Sequence, residues 1–145
     1  MGVGFSMLDE TLRQNLIDRA SRAREHAYAP YSNFTVGAAV LTASGEIFTG
    51  ANIENASFGA TVCAERVAIF AAVAAGCRDL TALAVIADTP EPVAPCGLCR
   101  QVLVEFNPDC PVLLANTAGR WHLANLKELL PQAFRLPDAK GCDRA

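Results

Sequence analysis

The sequence lacks the features that carry a protein into a membrane or out of the cell. Among its 145 residues, no apolar run approaches the roughly 20 residues of a transmembrane helix. The N-terminus has no basic segment followed by an apolar one, as a secretory signal has. Basic clusters are missing too: the 12 Lys and Arg are scattered among 15 Asp and Glu, whereas nucleic-acid binders usually show a basic patch. We therefore expect a cytoplasmic protein with a small neutral substrate and neither a nucleic-acid nor a membrane partner.

Internal repeats, low-complexity tracts and a domain linker are also absent, which predicts a single domain over residues 1–145. Hydrophobic residues make up 52% of the chain, enough for a sizeable core. The order helix, hairpin, helix, strand, helix, strand predicts an α/β fold with a mixed sheet and helices on its faces. The core is expected over about residues 8–136, with a frayed tail from Pro137. Periodicity and turn residues predict helices at 8–28, 62–75, 96–106 and from Leu126, and strands at 34–42, 46–53, 80–87, 112–115 and, weakly, around Trp121.

Cysteine is the residue type whose spacing carries chemistry. Cys96 and Cys99 form a C-x-x-C pair, and Cys63 stands upstream with Glu65 two residues after it. Three thiolates bind Zn²⁺ and leave one of its four tetrahedral positions open, where water becomes acidic enough to ionise near neutral pH. A glutamate that lies beside this position without binding the metal can carry protons. The pattern is therefore typical of a zinc deaminase.

Three other interpretations of these cysteines stay open. Cys96 and Cys99 could form a redox pair, although such a pair normally comes with its own βαβ pattern and does not require Cys63. A closed structural zinc site needs a fourth ligand, and neither histidine of the chain belongs to the motif. A zinc module without catalysis binds the same metal. The remaining cysteines have no partner at ligand spacing and are expected to be ordinary buried or surface thiols: Cys77, Cys110 and Cys142.

Both parts of the motif fall at predicted helix N-termini, where amide groups and the helix dipole stabilise thiolates. Thr61 is predicted as the N-cap of the first of these helices, and Gly76 as its C-terminal stop. Arg66 and Gln101 follow the motif directly. Both are predicted to act in the surroundings of the metal, where a guanidinium lessens the net negative charge of Zn²⁺ with three thiolates.

Polar residues end the second predicted strand. Asn52 and Glu54 lie on one face of it. An amide and a carboxylate in this position could bind vicinal hydroxyls, although the two residues alone fit a polar strand end better. Phe34 alone fits a core position, and residues 129–134 fit a helix end with a hydrophobic plug.

Taken together, these segments closely resemble the small zinc-dependent cytidine deaminases that act on free nucleosides. Relatives that edit polynucleotides typically have His where Cys63 stands, so the three cysteines match the free-nucleoside branch. Blasticidin-type deaminases share the zinc motif but resemble the chain less at residues 52–55. The matching segments run in order over roughly residues 8–136: Tyr31-Ser32-Asn33-Phe34-Thr35-Val36-Gly37-Ala38-Ala39, Asn52-Ile53-Glu54-Asn55-Ala56, Cys63-Ala64-Glu65-Arg66, Pro95-Cys96-Gly97-Leu98-Cys99-Arg100-Gln101 and Leu129-Leu130-Pro131-Gln132-Ala133-Phe134.

The resemblance implies a three-layer α/β/α fold with a five-stranded mixed sheet and one Zn²⁺ per chain. It implies hydrolysis of cytidine and deoxycytidine to uridine and deoxyuridine with release of ammonia, as in pyrimidine salvage. It also implies a homotetramer whose active sites borrow residues from neighbouring subunits. Ala51 and Phe58 depart from the Cys and Tyr of many relatives, so a hydroxyl contact to the sugar at the second position is not implied.

Roles for single residues follow from the same resemblance. It makes Cys63, Cys96 and Cys99 the zinc ligands, Glu65 the proton carrier, Asn52 and Glu54 the ribose-binding pair, Phe34 a residue that packs against the substrate, and Phe134 a ring that closes over a neighbour's base. Separately, the backbone of Ala64 is a candidate donor to the base carbonyl because it lies at the start of a predicted helix.

Overall fold

A five-stranded sheet lies at the centre of residues 8–137, the part of the chain that this computed structural model describes. The strand order is β2-β1-β3-β4-β5. Neighbouring strands are antiparallel except for the parallel pair β3 and β4. The predicted mixed sheet of five strands is therefore confirmed. The strands are β1 (Val36–Thr42), β2 (Ile47–Ala51), β3 (Leu80–Ala87), β4 (Pro111–Asn116) and β5 (Trp121–Asn125).

Helices cover both faces of the sheet, as the predicted three layers require. Alternate residues of a strand point to opposite faces, so Val40 of β1 packs in one apolar cluster with Ile69, whereas Ala39 packs in the other with Leu16. Within residues 8–137 no helix has both the length and the apolar character needed to cross a membrane. The helices are α1 (Glu10–Arg24), α2 (Ala64–Ala74), α3 (Gly97–Phe106) and α4 (Leu126–Leu129), with a 3₁₀ turn at Phe58–Ala60.

The first helix ends earlier than predicted because Tyr28, at its predicted end, pairs with a distant segment of the chain instead. The amide of Tyr28 donates to the carbonyl of Asn52 at 2.9 Å, and Tyr28 forms a parallel bridge with Ile53. Residues 25–28 therefore leave the helix after Arg24. Residues 138–145, which include Cys142 and the predicted frayed tail, lie outside the described residues. A single domain over the whole chain stays a prediction.

The prediction that Thr61 caps the second helix is wrong. Val62 is held in an extended bridge with Ile53, so the helix begins two residues later than predicted and Cys63 is its N-cap. The Thr61 hydroxyl instead accepts a hydrogen bond from the amide of Asn55 at 3.1 Å. The prediction for the other end holds, because Gly76 follows the helix with a φ of 91°, the left-handed conformation that favours glycine.

Close packing of α2 on the sheet depends on a glycine in β2. A Cβ added to Gly50 would lie 2.6 Å from the amide nitrogen of Ala68 and 2.7 Å from the carbonyl oxygen of Ala64. Both atoms belong to the backbone of α2 and cannot rotate away. Gly50 therefore sets how closely the helix that begins after Cys63 approaches the sheet.

Gly50→Ala should destabilise the protein by about 1–3 kcal/mol, the usual cost of overpacking against backbone. It should also displace the N-terminus of α2, because the clash falls on the first turns of that helix. Urea unfolding measures the first effect and zinc affinity the second. Gly59→Ala is the matched control, since a Cβ at Gly59 meets nothing within 4 Å. Equal stability of the two variants would contradict the argument.

Candidate metal centre

Three cysteine sulfurs converge where two helices begin. Cys63 is the N-cap of α2, Cys96 is the N-cap of α3, and Cys99 lies in the first turn of α3. The Sγ atoms of Cys63 and Cys96 are 3.7 Å apart, and those of Cys96 and Cys99 are 3.5 Å apart. All three sulfurs lie within 4.8 Å of one another. Each helix therefore aims its free amide groups, and the positive end of its dipole, at the sulfurs.

This spacing fits a single zinc ion. Zn–S bonds of about 2.3 Å in a tetrahedron place neighbouring sulfurs about 3.8 Å apart. A disulfide would need about 2.05 Å between sulfurs, far less than the 3.5 Å between Cys96 and Cys99. Among the cysteine, histidine and acidic side chains of residues 8–137, these three cysteines are the group that could hold a metal ion. The donor set is thus three sulfurs without a fourth protein ligand in the group.

One sulfur already favours the thiolate form. The pKa of Cys63 is lowered to about 5, first by the hydrogen bond with Cys99 and then by the guanidinium of Arg66. The pKa of Cys99 is raised because it shares that hydrogen bond and is buried. Arg66 donates from Nη2 to the sulfur of Cys63 at 3.5 Å. Arg66 thus lies against the sulfur that favours the thiolate form.

Glu65 lies in the first turn of α2, two residues beyond the Cys63 ligand. Its side chain is buried, with 4% of its surface exposed. Burial, with a smaller contribution from Cys63, raises the pKa of Glu65 to about 7. A carboxyl with a pKa near neutrality can both accept and donate a proton at physiological pH. Ala64, beside it, is fully buried as the first residue of the helix, and its amide has no acceptor within the helix.

Asn52 is buried and fixes the start of β1. Its Oδ1 accepts from the amide of Val36 at 2.9 Å, and its Nδ2 donates to the carbonyl of Phe34 at 2.7 Å. An asparagine side chain has two N–H groups and two lone pairs, so one of each is left for another partner. The side chain thus holds the position of Phe34, whose own surface is 42% exposed.

Glu54 is oriented by the loop before β1. Its Oε1 accepts from the amides of Tyr31 at 2.9 Å and Ser32 at 3.2 Å, and its Oε2 accepts from the Ser32 hydroxyl. These bonds, the one from the Ser32 hydroxyl above all, lower the pKa of Glu54. The carboxylate is therefore charged and fixed in place. Sequence analysis missed Ser32, although a Ser-Asn pair before an extended segment is a turn signal.

An open pocket of about 330 Å³ lies beside Glu54. Of the predicted substrate-binding residues in the described part of the chain, Glu54 alone lines it. Phe58 projects there with 76% of its surface exposed and meets the Tyr31 ring edge-to-face, with 6.0 Å between ring centroids. The volume is within the range of small-molecule sites. The lining residues are Tyr31, Ser32, Glu54, Phe58 and Thr61.

A hydrogen bond joins the side chain of Gln101 to the main chain of Phe134. Gln101 donates from Nε2 to the main-chain carbonyl of Phe134 at 2.8 Å. Its neighbour Arg100, which sequence analysis missed, donates from Nε to the carbonyl of Pro95 at 2.7 Å and from Nη1 to the carbonyl of Leu129. The loop before Cys96 and the C-terminal segment are thus both attached to α3.

The other cysteines stand apart from the metal centre. Cys110 is fully buried, and burial raises its pKa. Cys77 donates to a carboxylate oxygen of Glu46 at 3.3 Å. Neither belongs to the group of sulfurs described above. Both therefore fit the ordinary thiols that the sequence predicted.

Comparison with known proteins gives a family and close relatives. The model of the family described as "Cytidine and deoxycytidylate deaminase zinc-binding region" matches residues 10–114. The cytidine deaminase of Halalkalibacterium halodurans is 54% identical over 127 residues, which are 87% of this chain and 96% of the relative. That of Sporosarcina psychrophila is 51% identical over 86% of this chain and 93% of the relative.

Solved structures show the same likeness. The crystal structure of cytidine deaminase from Burkholderia pseudomallei superposes with a TM-score of 0.81 at 51% identity, covering 83% of this chain and 98% of the other. The enzyme from Mycobacterium tuberculosis gives a TM-score of 0.74 at 40% identity, covering 86% and 98%. At these identities the likeness covers the sequence as well as the fold.

Proposed function

The chain belongs to the cytidine and deoxycytidylate deaminase family, and on that premise we propose that it hydrolyses cytidine and deoxycytidine to uridine and deoxyuridine, releasing ammonia. The observation that carries this proposal is the buried Glu65 carboxyl, two residues beyond a ligand in a group of three sulfurs that accepts one Zn²⁺. A zinc module that only stabilises the fold has no use for a buried carboxyl in that position. Burying a carboxyl costs stability, so its presence beside the sulfurs favours a catalytic role.

Cys63, Cys96 and Cys99 hold the metal. When bound there, Zn²⁺ supplies Lewis acidity that makes water nucleophilic near neutral pH. Arg66 offsets part of the negative charge of the three sulfurs. Glu65 takes one proton from the attacking water and gives it to N3 of the pyrimidine. It then takes the remaining proton from the oxygen added at C4 and passes it to the amine, which leaves as ammonia. Its pKa of about 7 suits both directions of transfer.

The rest of the site binds the nucleoside. Glu54, charged and fixed by Ser32, accepts hydrogen bonds from sugar hydroxyls, and Asn52 adds its remaining N–H and lone pair. Phe34 packs against the substrate, and the buried amide of Ala64 donates to the base carbonyl. A charged acceptor makes the stronger hydrogen bonds, so Glu54 contributes most to sugar recognition.

We also propose a homotetramer with shared active sites, in the cytoplasm. Large exposed apolar side chains mark interaction surfaces, and this chain exposes Phe58 by 76%, Leu98 by 65%, Phe134 by 69% and Leu136 by 66%. In a tetramer, Phe134 closes over the base in a neighbouring subunit. A reducing compartment keeps the three ligand cysteines available for zinc.

Replacing the proton carrier should separate catalysis from metal binding. In Glu65→Gln, kcat for cytidine should fall by about 10²–10⁴-fold, the usual effect of losing a general acid–base group, because the proton transfers belong to the transition states. Zinc should stay at one per chain, measured by atomic spectroscopy beside steady-state kinetics. Cys96→Ala should instead lose both zinc and activity. A glutamine variant that turns over cytidine at the parent rate refutes the role of Glu65.

Removing the sugar carboxylate should weaken recognition of the nucleoside. Glu54→Ala should lower kcat/KM for cytidine by roughly 10²-fold, since it removes charged hydrogen bonds and frees the Tyr31–Ser32 loop. Glu10→Ala, which removes an exposed carboxylate from α1, should leave kcat/KM unchanged. Free cytosine should be a poor substrate of the parent. If cytosine reacts as fast as cytidine, the carboxylate has no part in sugar binding.

The assembly should have a mass near four times the 15.3 kDa of one chain. Association buries the exposed aromatic and leucine side chains, which is favourable in proportion to the apolar area removed from water. Light scattering at the concentration of the activity assay measures the mass directly. A fully active monomer would remove the shared site from the proposal.

A further inference from the structure

The C-terminal segment, residues 129–134, packs on the side of the molecule where α2 and α3 lie. The ring of Phe134 at its end is exposed to solvent. Leu129, Leu130 and Ala133 are partly buried and pack against the apolar cluster under α2 and α3. Phe134, the next residue, exposes 69% of its surface. The backbone is therefore docked while the ring points away from its own chain.

A left-handed residue produces this arrangement. Gln132 has a φ of 55°, a conformation that costs energy for any residue other than glycine and persists only where the surroundings hold it. It turns the chain between the docked leucines and the exposed ring. Residues on both sides of Gln132 therefore need anchors to keep that turn.

Two consecutive side chains of α3 provide the anchors. Arg100 donates to the carbonyl of Leu129, before the turn, and Gln101 donates to the carbonyl of Phe134, after it, at 2.8 Å. Both follow the ligand Cys99 directly. The helix that binds the metal is thus the element that fixes the main chain of Phe134.

We propose that Gln101 is a positioning residue that holds Phe134 in the orientation needed to contact substrate. This rests on the proposed function, in which Phe134 closes over the base. The contact that carries it is the hydrogen bond from the Gln101 amide to a carbonyl of the C-terminal segment, whereas the sequence suggested a role near the metal. Arg100 has a less specific effect, since it also holds the carbonyl of Pro95 before Cys96.

The test is Gln101→Met, which keeps the length of the side chain and its lack of charge but removes the donor. Losing one neutral hydrogen bond corresponds to about a 2- to 10-fold change. KM for cytidine should rise by that factor, while kcat, its pH profile and zinc content stay as in the parent. Hydrogen exchange of residues 132–136 should become faster. Gln14→Met is the matched control on α1, where Gln14 bonds Asp18, and should change none of these.

A double-mutant cycle with Phe134→Ala shows whether the glutamine acts through the ring. Phe134→Ala alone should raise KM, and adding Gln101→Met to it should raise KM no further. Additive effects, or a changed kcat or pH profile with unchanged KM, overturn the positioning role and favour action at the metal. Unchanged exchange in Gln101→Met overturns it as well. A parent chain that does not deaminate cytidine would overturn the proposed function and this inference with it. The outcomes above overturn the inference alone, in a parent that is active, so the two failures are distinguishable.

Discussion

The structure depends on two helix N-termini that meet at three sulfurs. Thiolates repel one another, and Cys63, Cys96 and Cys99 lie within 4.8 Å. Negative charge on these sulfurs, which Cys63 already favours, is stabilised because the free amides and dipoles of α2 and α3 face them, and because Arg66 lies 3.5 Å from Cys63. The close approach of α2 at Gly50, which fixes one of the two helix starts, therefore also affects the chemistry of the site.

A second network holds the substrate side, and it uses side chains to bind backbone. Asn52 holds the main chain at Phe34 and Val36, Glu54 holds the amides of Tyr31 and Ser32, and Gln101 holds the carbonyl of Phe134. In each case the side chain lies 16 to 33 residues away along the chain, and apart from Val36 the residues that it holds belong to no helix or strand. The loop segments of the site are thus each held by a hydrogen bond with a side chain elsewhere in the fold.

Sequence patterns predicted the elements whose residues are buried in the same way along their whole length. They failed where pairing with a residue distant in the sequence determines the local conformation. Leu80–Ala87 was predicted to the residue because both faces of β3 are buried, which a continuous apolar run reports. Thr61 failed as a cap because Val62 pairs with Ile53. The ligand spacing of Cys63, Cys96 and Cys99 was readable because metal chemistry constrains residue type. The partner of Gln101 could not be predicted, because it is a main-chain carbonyl oxygen 33 residues away, and every residue type carries such an oxygen.

The distance along the chain between the ligands has a further consequence, in chain entropy. Cys63 and Cys96 are 33 residues apart, and a link between them restricts the unfolded ensemble by closing that loop. For a covalent cross-link of this length the restriction amounts to about 3–4 kcal/mol. Cys96 and Cys99, only three residues apart, close no such loop. The unfolded chain must close that loop to keep all three sulfurs on one metal, so it binds the metal less tightly than the folded chain does, and the metal stabilises the fold. A metal held by the C-x-x-C pair alone carries almost none of this entropic cost.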